Sequence, residues 1–214
     1  MSNNDSFIDE VTEEVRRDRL FALMRKYGWI GILIVVLIVG GAAFNEWRKA
    51  RATSEAQAFG DAVMAAMQSD DSASALAAVP AEGDQRAVLD LLGSAAALEA
   101  DDRDAALAKL AEIAADPALP ASYRQLAQLK SVLIAGASMP AADRDAILAT
   151  LSAPGAPYRA LALEQQALAL VEAGETEAAI AALRALLEEP DLTAGLQARV
   201  TQLIVALGGE TEAG

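Results

Sequence analysis

The 214-residue chain contains no cysteine and no histidine. Without cysteine it has no disulfide and no thiol nucleophile. Without histidine, imidazole-based acid–base relays and the common zinc sites are excluded. A glycine-rich phosphate loop is missing too, because Gly28, Gly31, Gly40 and Gly41 all lie in one apolar run. These absences predict a non-enzymatic protein with no catalytic residues, no cofactor and no metal ion.

Carboxylates cluster at three predicted turns between helices, at Asp70-Asp71, at Asp101-Asp102-Asp104 and at Asp143-Asp145. An EF-hand calcium site needs carboxylates at alternate positions, a glycine and a Glu at the twelfth position. None of the three clusters has this pattern. Helix capping and solvation therefore explain them better than cation binding does.

One long apolar run, Tyr27 to Phe44, interrupts an otherwise acidic chain and is long enough to cross a bilayer as a helix. Aromatic residues flank it as an interfacial belt would: Tyr27 and Trp29 at one end, Phe44 and Trp47 at the other. At 1.5 Å per residue, the two tryptophans lie about 27 Å apart, close to the thickness of the hydrocarbon layer. The run predicts a transmembrane helix, residues 27–44.

Two other interpretations of the run fit the sequence less well. A signal peptide has a short basic start, a shorter apolar stretch and a small-residue cleavage site, whereas 26 residues precede this run and Phe44-Asn45-Glu46 follows it. A buried helix of a soluble domain would not usually carry aromatic residues at both ends. An uncleaved signal anchor fits better than either.

Basic residues near the run are more frequent on its N-terminal side, which indicates the orientation of the helix. That flank contains Arg16, Arg17, Arg19, Arg25 and Lys26, and the other contains Arg48, Lys49 and Arg51. The excess predicts a cytoplasmic N-terminus, with residues 45–214 across the membrane.

The formal net charge is −14. Phosphate binding depends on clustered lysine and arginine, so nucleic-acid binding is excluded. The same charge repels anionic lipid. Whether the acidic surface steers basic partners or only confers solubility is open at this point.

The chain beyond the run is rich in alanine, leucine and glutamate and reads as all helix. Pro80, Pro117, Pro154 and Pro190 recur at spacings of 37, 37 and 36 residues, as in a helical repeat array. The segment from Glu99 also aligns with the segment from Glu172 at an offset of 73, and Tyr123-Arg124 with Tyr158-Arg159 at 35.

Each repeat is predicted to be a helical hairpin closed by proline. Small residues at Ala106 and Ala179 let the paired helices approach closely, and Leu110 and Leu183 fill the space beside them. The fold class is therefore all-α: an N-terminal amphipathic helix, one transmembrane helix, and an α-solenoid of helical hairpins. The segment from Thr193 is predicted to be its C-terminal capping helix.

The predicted organisation has five segments. They are an amphipathic tail (1–26), the transmembrane helix (27–44), a stalk with a first degenerate hairpin (45–80), the repeats with the capping helix (81–209) and a disordered tail (210–214). In the tail, Phe7, Ile8, Val11 and Val15 share one helical face. That face could lie on the inner leaflet or hold a partner helix, or the tail could merely set the topology.

The hairpins resemble tetratricopeptide repeats, since the last unit has Ala167, Leu170, Gly174, Ala179, Leu183 and Pro190 at family positions. The early Trp and the Tyr of the family pattern are missing. The stem SFIDEVTEEVRR, followed by a span and an alanine-rich repeat domain, resembles the bacterial ancillary subunit of the Sec translocon, grouped with tetratricopeptide cell-division coordinators.

This resemblance implies a single-pass protein of the bacterial inner membrane with its C-terminal domain in the periplasm. It implies an adaptor that binds protein or peptide clients and passes exported proteins from the Sec translocon to periplasmic chaperones. The alternative is a structural scaffold or assembly factor for a division or respiratory complex, without clients. The partner-binding residues and the oligomeric state stay open.

Overall fold

The computed structural model describes the backbone of residues 3–190 and 192–210, and the side chains of 24–27, 29–190 and 192–210. Several predictions fall on residues or side chains that the structure does not describe. They are the apolar face of the tail from Phe7 to Val15, the topology residues Arg16, Arg17 and Arg19, and most of the C-terminal tail, residues 211–214.

In the described residues every regular element is a helix, as the composition predicts. The elements are α1 (Asn3–Met67), α2 (Ser72–Ala78), α3 (Gly83–Glu99), α4 (Arg103–Ala115), α5 (Ala121–Ala135), a 3₁₀ turn (Gly136–Ser138), α6 (Ala141–Leu151), α7 (Arg159–Glu172), α8 (Thr176–Leu187) and α9 (Ala194–Ala206).

The chain divides into two compact units, Met1–Asp61 and Ala62–Gly214. The first consists of most of α1, which continues without a break through the predicted stalk as far as Met67. The division falls inside the segment 45–80 that the sequence assigns to a stalk and first hairpin. The second unit contains the other helices.

In the second unit, each helix from α2 to α9 packs against the next one along the chain. Among the described residues of α3 to α9, three clusters of buried side chains form cores that each join three consecutive helices. The first joins α3, α4 and α5, the second α5, α6 and α7, and the third α7, α8 and α9. Because α5 and α7 each contribute to two cores, neighbouring cores share a helix.

The turns α3–α4 and α7–α8 have the same geometry, 73 residues apart. The Asp102 amide donates to the Ala97 carbonyl (2.8 Å), and the Glu175 amide donates to the Leu170 carbonyl (2.9 Å). The residue before each of these donors has a positive φ, 60° at Asp101 and 77° at Gly174. These are the bonds of a Schellman helix end, which needs a left-handed residue that glycine adopts most easily.

Helices end slightly earlier than the prolines alone predict. A residue before proline is pushed out of the helical region, and the C-cap residue lies at or before it. Thus α4 ends at Ala115, two residues before Pro117, and α8 ends at Leu187, three before Pro190. Pro140 is the N-cap residue of α6, which begins at Ala141.

Candidate functional site

The side chains of the predicted membrane span are exposed along α1. This helix is long and apolar enough to cross a bilayer, with none of its most apolar window buried. Tyr27, Trp29, Phe44 and Trp47, the predicted interface residues, are 49%, 62%, 60% and 57% exposed. A soluble core helix would bury these side chains, so their exposure leaves an apolar cylinder for which lipid is a suitable solvent.

Basic side chains lie beside the aromatic rings at both ends of the span. The Lys26 ammonium lies 5.5 Å from the centre of the Tyr27 ring, and the Arg51 guanidinium 5.8 Å from the Trp47 ring. Arg25 is exposed as well. The side chains of Arg16, Arg17 and Arg19, the other predicted topology residues, lie outside the described part of the chain.

All four predicted repeat-packing residues are fully buried. Ala106 and Leu110 lie on α4, and Ala179 and Leu183 lie at the corresponding places on α8. A third residue that the sequence does not single out is also buried on each helix. It is Ile113 on α4 and Leu186 on α8, again 73 residues apart.

A groove of about 370 Å³ opens where side chains of α5, α7 and α9 meet. It is lined by Leu129, Leu133, Leu161, Glu164, Gln165, Leu168 and Arg199. Two of these leucines reach solvent, Leu133 at 53% and Leu161 at 36% exposure, while Leu129 forms part of the core. Exposed leucines in a concave site are a common feature of surfaces that bind other molecules.

One ion pair lies in the groove, between α7 and α9. The Arg199 Nε donates to Glu164 Oε1 at 2.5 Å, and its Nη2 donates to Oε2 at 2.8 Å. The Glu164 side chain is only 5% exposed, whereas that of Arg199 is 55% exposed. Hydrogen bonding to the Glu164 carboxylate, aided by its charge, raises the pKa of the Arg199 guanidinium. The solvent-exposed Arg199 therefore neutralises the buried carboxylate of Glu164.

Sequence reasoning missed Glu164, although the repeat contains a signal for it. The 35-residue offset that aligns Tyr123 with Tyr158 also aligns Leu129 with Glu164. Both residues are buried and both line the groove. A glutamate at the place of a core leucine was thus visible in the sequence, but its arginine partner, 35 residues further on, was not.

The aligned arginines, by contrast, have different surroundings. Arg159 forms a two-point ion pair with Glu189, at 2.9 and 2.7 Å, and its Nη1 donates to the Ser152 carbonyl. The Nε of Arg124 is buried with no hydrogen-bond partner among the described residues. Tyr123 and Tyr158 themselves are half-buried and pack against the first and second cores, away from the groove.

Larger cavities lie elsewhere in the second unit. One, of about 390 Å³, is lined by residues of α3 and α4 and by Leu119, which is buried. Two others are larger still. One, of about 530 Å³, lies between α8 and α9, and Arg184, Glu188 and Glu210 are among its lining residues. The other, of about 600 Å³, lies beside the Pro154–Pro157 turn and contains the Arg159–Glu189 pair. Neither is lined by an exposed leucine, so the smaller groove is the better candidate for apolar recognition.

Two of the three acidic clusters cap helix starts. In the third, no side chain caps α6, and Asp145 instead accepts a hydrogen bond from the neighbouring Arg144. Asp71 accepts a hydrogen bond from the Ser74 amide, and Asp102 accepts one from the Ala105 amide. The hydrogen bonds with Ser74 lower the pKa of the Asp71 carboxyl. Across the described residues, no group of three or more acidic side chains is arranged to hold a metal ion.

Comparison of the chain with protein-family models, with curated proteins and with solved structures finds no match in any of the three. The exposed apolar helix and the groove are therefore the features of the molecule that bear on its function.

Proposed function

We propose that this protein is a non-catalytic adaptor, anchored in the inner membrane of a bacterium by α1, that binds other proteins through its second helical unit. The observation that supports this most directly is the groove between α5, α7 and α9, with its exposed leucines. Apolar side chains open to solvent contribute nothing to the core and become favourable when a partner covers them.

The second unit is proposed to be a tetratricopeptide-like solenoid with α9 as its cap. Packing of each helix against the next and cores that share α5 and α7 support this arrangement. In such an array alternate helices line one face, which is where the groove lies. The identical turns at Asp101 and Gly174 support a repeated hairpin.

The proposed mechanism is local concentration. Anchoring a binding module beside its partners raises their effective concentration to roughly millimolar values, so that weak groove contacts suffice. By its resemblance, the anchor would hold the unit at the periplasmic exit of the Sec translocon. There it would receive exported proteins and pass them to periplasmic chaperones.

Photo-crosslinking in living cells tests this proposal. A photoreactive amino acid replaces Leu133 or Leu161 in the groove, and Leu98, an exposed leucine on α3, in the control. We expect groove probes to capture translocon subunits, exported proteins and periplasmic chaperones, identified by mass spectrometry, and the control probe to capture far less. Capture of one stable division or respiratory complex by all three probes would favour a scaffold instead.

Protease treatment of intact spheroplasts tests the orientation. We expect the chain in the membrane pellet, with residues beyond the span digested from outside and the short N-terminal tail protected. Complete protection of the second unit, or recovery of the intact chain in the soluble fraction, would contradict the proposal.

A further inference from the structure

The C-terminal end of the proposed membrane span carries a group of basic side chains that the adaptor role does not use. Arg48, Lys49 and Arg51 directly follow Trp47, and the residues from Trp47 to Thr53 include no aspartate or glutamate. All three basic residues are exposed. They are called the basic collar below. The net charge of the chain, −14, therefore does not describe this part of α1.

The position of the collar along α1 corresponds to the headgroup layer of a bilayer. Trp47 belongs to the aromatic belt that marks the edge of the hydrocarbon. Because a helix rises 1.5 Å per residue, Arg48 lies about 1.5 Å and Arg51 about 6 Å beyond Trp47 along the axis. The polar layer on each side of a bilayer is about 5–7 Å thick. An inserted span therefore places all three cations at the depth of the lipid phosphates.

The cations of the collar are available to a ligand. The Arg51 guanidinium lies 5.8 Å from the centre of the interfacial Trp47 ring, and its Nε donates to Glu55 Oε1 at 2.9 Å. The side chains of this ion pair are 64% and 66% exposed, and pairs so open to solvent are weak. Arg48 and Lys49 form no ion pair with any residue whose side chain the structure describes.

Arg48 and Lys49 line a depression of about 270 Å³ on one face of α1. Asn45 and Ala52 line it as well, and the four residues share this face because they follow the spacing i, i+3, i+4 and i+7. Ala52 carries only a methyl group, which leaves room above it, and the Asn45 amide adds hydrogen-bond donors. Two cations and an amide around an open space are a suitable arrangement for a phosphate group.

We propose that the basic collar binds the headgroups of anionic phospholipids in the leaflet at the C-terminal end of the span. The phosphate lies between Arg48 and Lys49, and Arg51 adds a third positive charge. Zwitterionic lipids carry a cation beside their phosphate, so three basic side chains favour headgroups with a net negative charge. Glu46, the acidic residue nearest the span, does not line the depression.

Bound lipid holds α1 at one depth in the membrane, because movement of the helix along its axis separates the collar from the phosphates. The inference uses the membrane anchor of the proposed function but not its binding of other proteins. It holds for either orientation of the span, since both leaflets contain phospholipid.

The test uses the full-length protein in phosphatidylcholine nanodiscs, with its own tryptophans as reporters. The chain has two tryptophans. Trp29→Phe leaves Trp47, at the collar, as the fluorophore, and Trp47→Phe leaves Trp29, at the other end of the span. Phosphatidylglycerol or phosphatidylcholine that is brominated near the headgroup quenches an adjacent tryptophan. We expect brominated phosphatidylglycerol to quench Trp47 at about fivefold lower content than brominated phosphatidylcholine, and this preference to weaken as salt rises from about 50 to 500 mM.

Charge variants with Trp47 as the reporter locate the lipid. Arg48→Gln combined with Lys49→Gln and Arg51→Gln should abolish the preference, whereas Arg48→Lys with Arg51→Lys, which keeps the charge, should retain most of it. Glu55→Gln releases Arg51 from its ion pair and should increase the preference. Arg103→Gln, at an exposed position on α4, should leave it unchanged. Circular dichroism checks that the helix content of each variant equals that of the parent.

Several results would overturn the inference. A preference that survives the triple glutamine variant, or that Trp29 reports and Trp47 does not, would place the anionic lipid elsewhere. Displacement of the brominated lipid by soluble glycerophosphoglycerol would make the ligand a free anion. Displacement by a short polyglutamate peptide at micromolar concentration would make it an acidic protein segment.

The same data distinguish this inference from the proposed anchor. If neither brominated lipid quenches Trp29 or Trp47, α1 does not enter the bilayer, and both the anchor and the lipid site fail. If the two brominated lipids quench Trp47 equally, the anchor stands and the selectivity of the collar is wrong. Capture of partners by the probes at 133 and 161 is independent of both results.

Discussion

At the scale of single residues, Glu164 shows how a repeat can carry a charge into its core. It lies where α5 has Leu129, almost fully buried, and its carboxylate accepts two hydrogen bonds from Arg199. Burying a carboxylate is costly unless a cation pairs with it. The ion pair with Arg199 therefore makes a buried glutamate tolerable at this position, and it links α7 to α9 within the lining of the groove.

Removing one partner of this pair should destabilise the fold more than removing both. We expect Arg199→Met to lower the free energy of unfolding by about 1–3 kcal/mol, because it leaves Glu164 buried without a cation. The double variant Glu164→Leu with Arg199→Met should have a free energy of unfolding within about 1 kcal/mol of the parent. It removes both charges and gives α7 the leucine that α5 has at the aligned position. Chemical denaturation of the full chain in detergent measures both. An equal loss of free energy of unfolding in the single and the double variant would show that Glu164 and Arg199 do not stabilise each other.

The left-handed residues of the two equivalent turns give a matched pair of substitutions. Asp101 has φ 60° with a side chain present, so Asp101→Gly should stabilise the protein by about 0.5–1 kcal/mol. Gly174 has φ 77°, so Gly174→Ala should destabilise it by about 1 kcal/mol. Thermal unfolding, followed by the helical signal in circular dichroism, gives the melting temperature of each variant relative to the parent. Shifts of the same sign would contradict the equivalence of the two turns.

At the scale of elements, stability comes from neighbours along the chain. The three cores are linked because α5 and α7 each pack on both sides. Polar contacts add further links: Arg144 of α6 pairs with Glu172 of α7 at 2.9 Å, and Arg159 of α7 pairs with Glu189 just after α8. In the proposed solenoid, each hairpin depends on the next one to cover its apolar face.

The Arg159–Glu189 pair should make stability depend on pH. The hydrogen bonds from Arg159 hold the pKa of the Glu189 carboxyl below its ordinary value. The contribution of the Glu189 carboxylate to stability is therefore fully present above the pKa that this carboxyl has in the unfolded chain. It is lost as pH falls through the lower pKa of the carboxyl in the folded protein. We expect the melting temperature of the parent to exceed that of Glu189→Gln at pH 7, and the difference to shrink below about pH 4.

The matched control for this pH experiment is Glu188→Gln. Glu188 is the exposed neighbour of Glu189 and lines a different cavity. Its replacement should leave the pH dependence of the melting temperature as in the parent. A difference between the parent and Glu189→Gln that stays constant from pH 7 to about pH 3 would contradict a titrating pair.

At the scale of the whole molecule, the long apolar helix is the feature that supports the proposed membrane anchor. The two units are chemically opposite, since one has a long exposed apolar surface and the other is acidic. Water is a poor solvent for the first, and the hydrocarbon layer excludes the second. This contrast is the physical basis of the proposed anchor.

Charges placed in the middle of the apolar run should release the chain from membranes. Leu33→Lys together with Val36→Lys should oppose insertion by about 5–7 kcal/mol if lysine costs about 2.5–3.5 kcal/mol per residue near the centre of a span. Asn45→Lys, at the flank, should have no such effect. Alkaline extraction of membranes measures the retained fraction. Full retention of the double variant would contradict a span at residues 27–44.

Local order was largely predictable from the sequence because the signals for it are local. Alanine-rich composition predicted helices, and the cap at Asp102 and the turn at Gly174 follow from residue chemistry. Ala106 and Leu110, which the sequence predicts to pack between paired helices, are buried. The groove was not predictable, because it depends on which side chains of α5, α7 and α9 meet.

By itself, the sequence determined the helical class, the length of the apolar run, the periodic turns and the charge, since each depends on composition or on spacing along one segment. Only the tertiary structure decided that Leu133 and Leu161 stay open to solvent and that Arg199 reaches Glu164. Those outcomes depend on the packing of helices that are distant in the chain, and residue spacing alone contains no information about which of two similar leucines the neighbouring helix will cover.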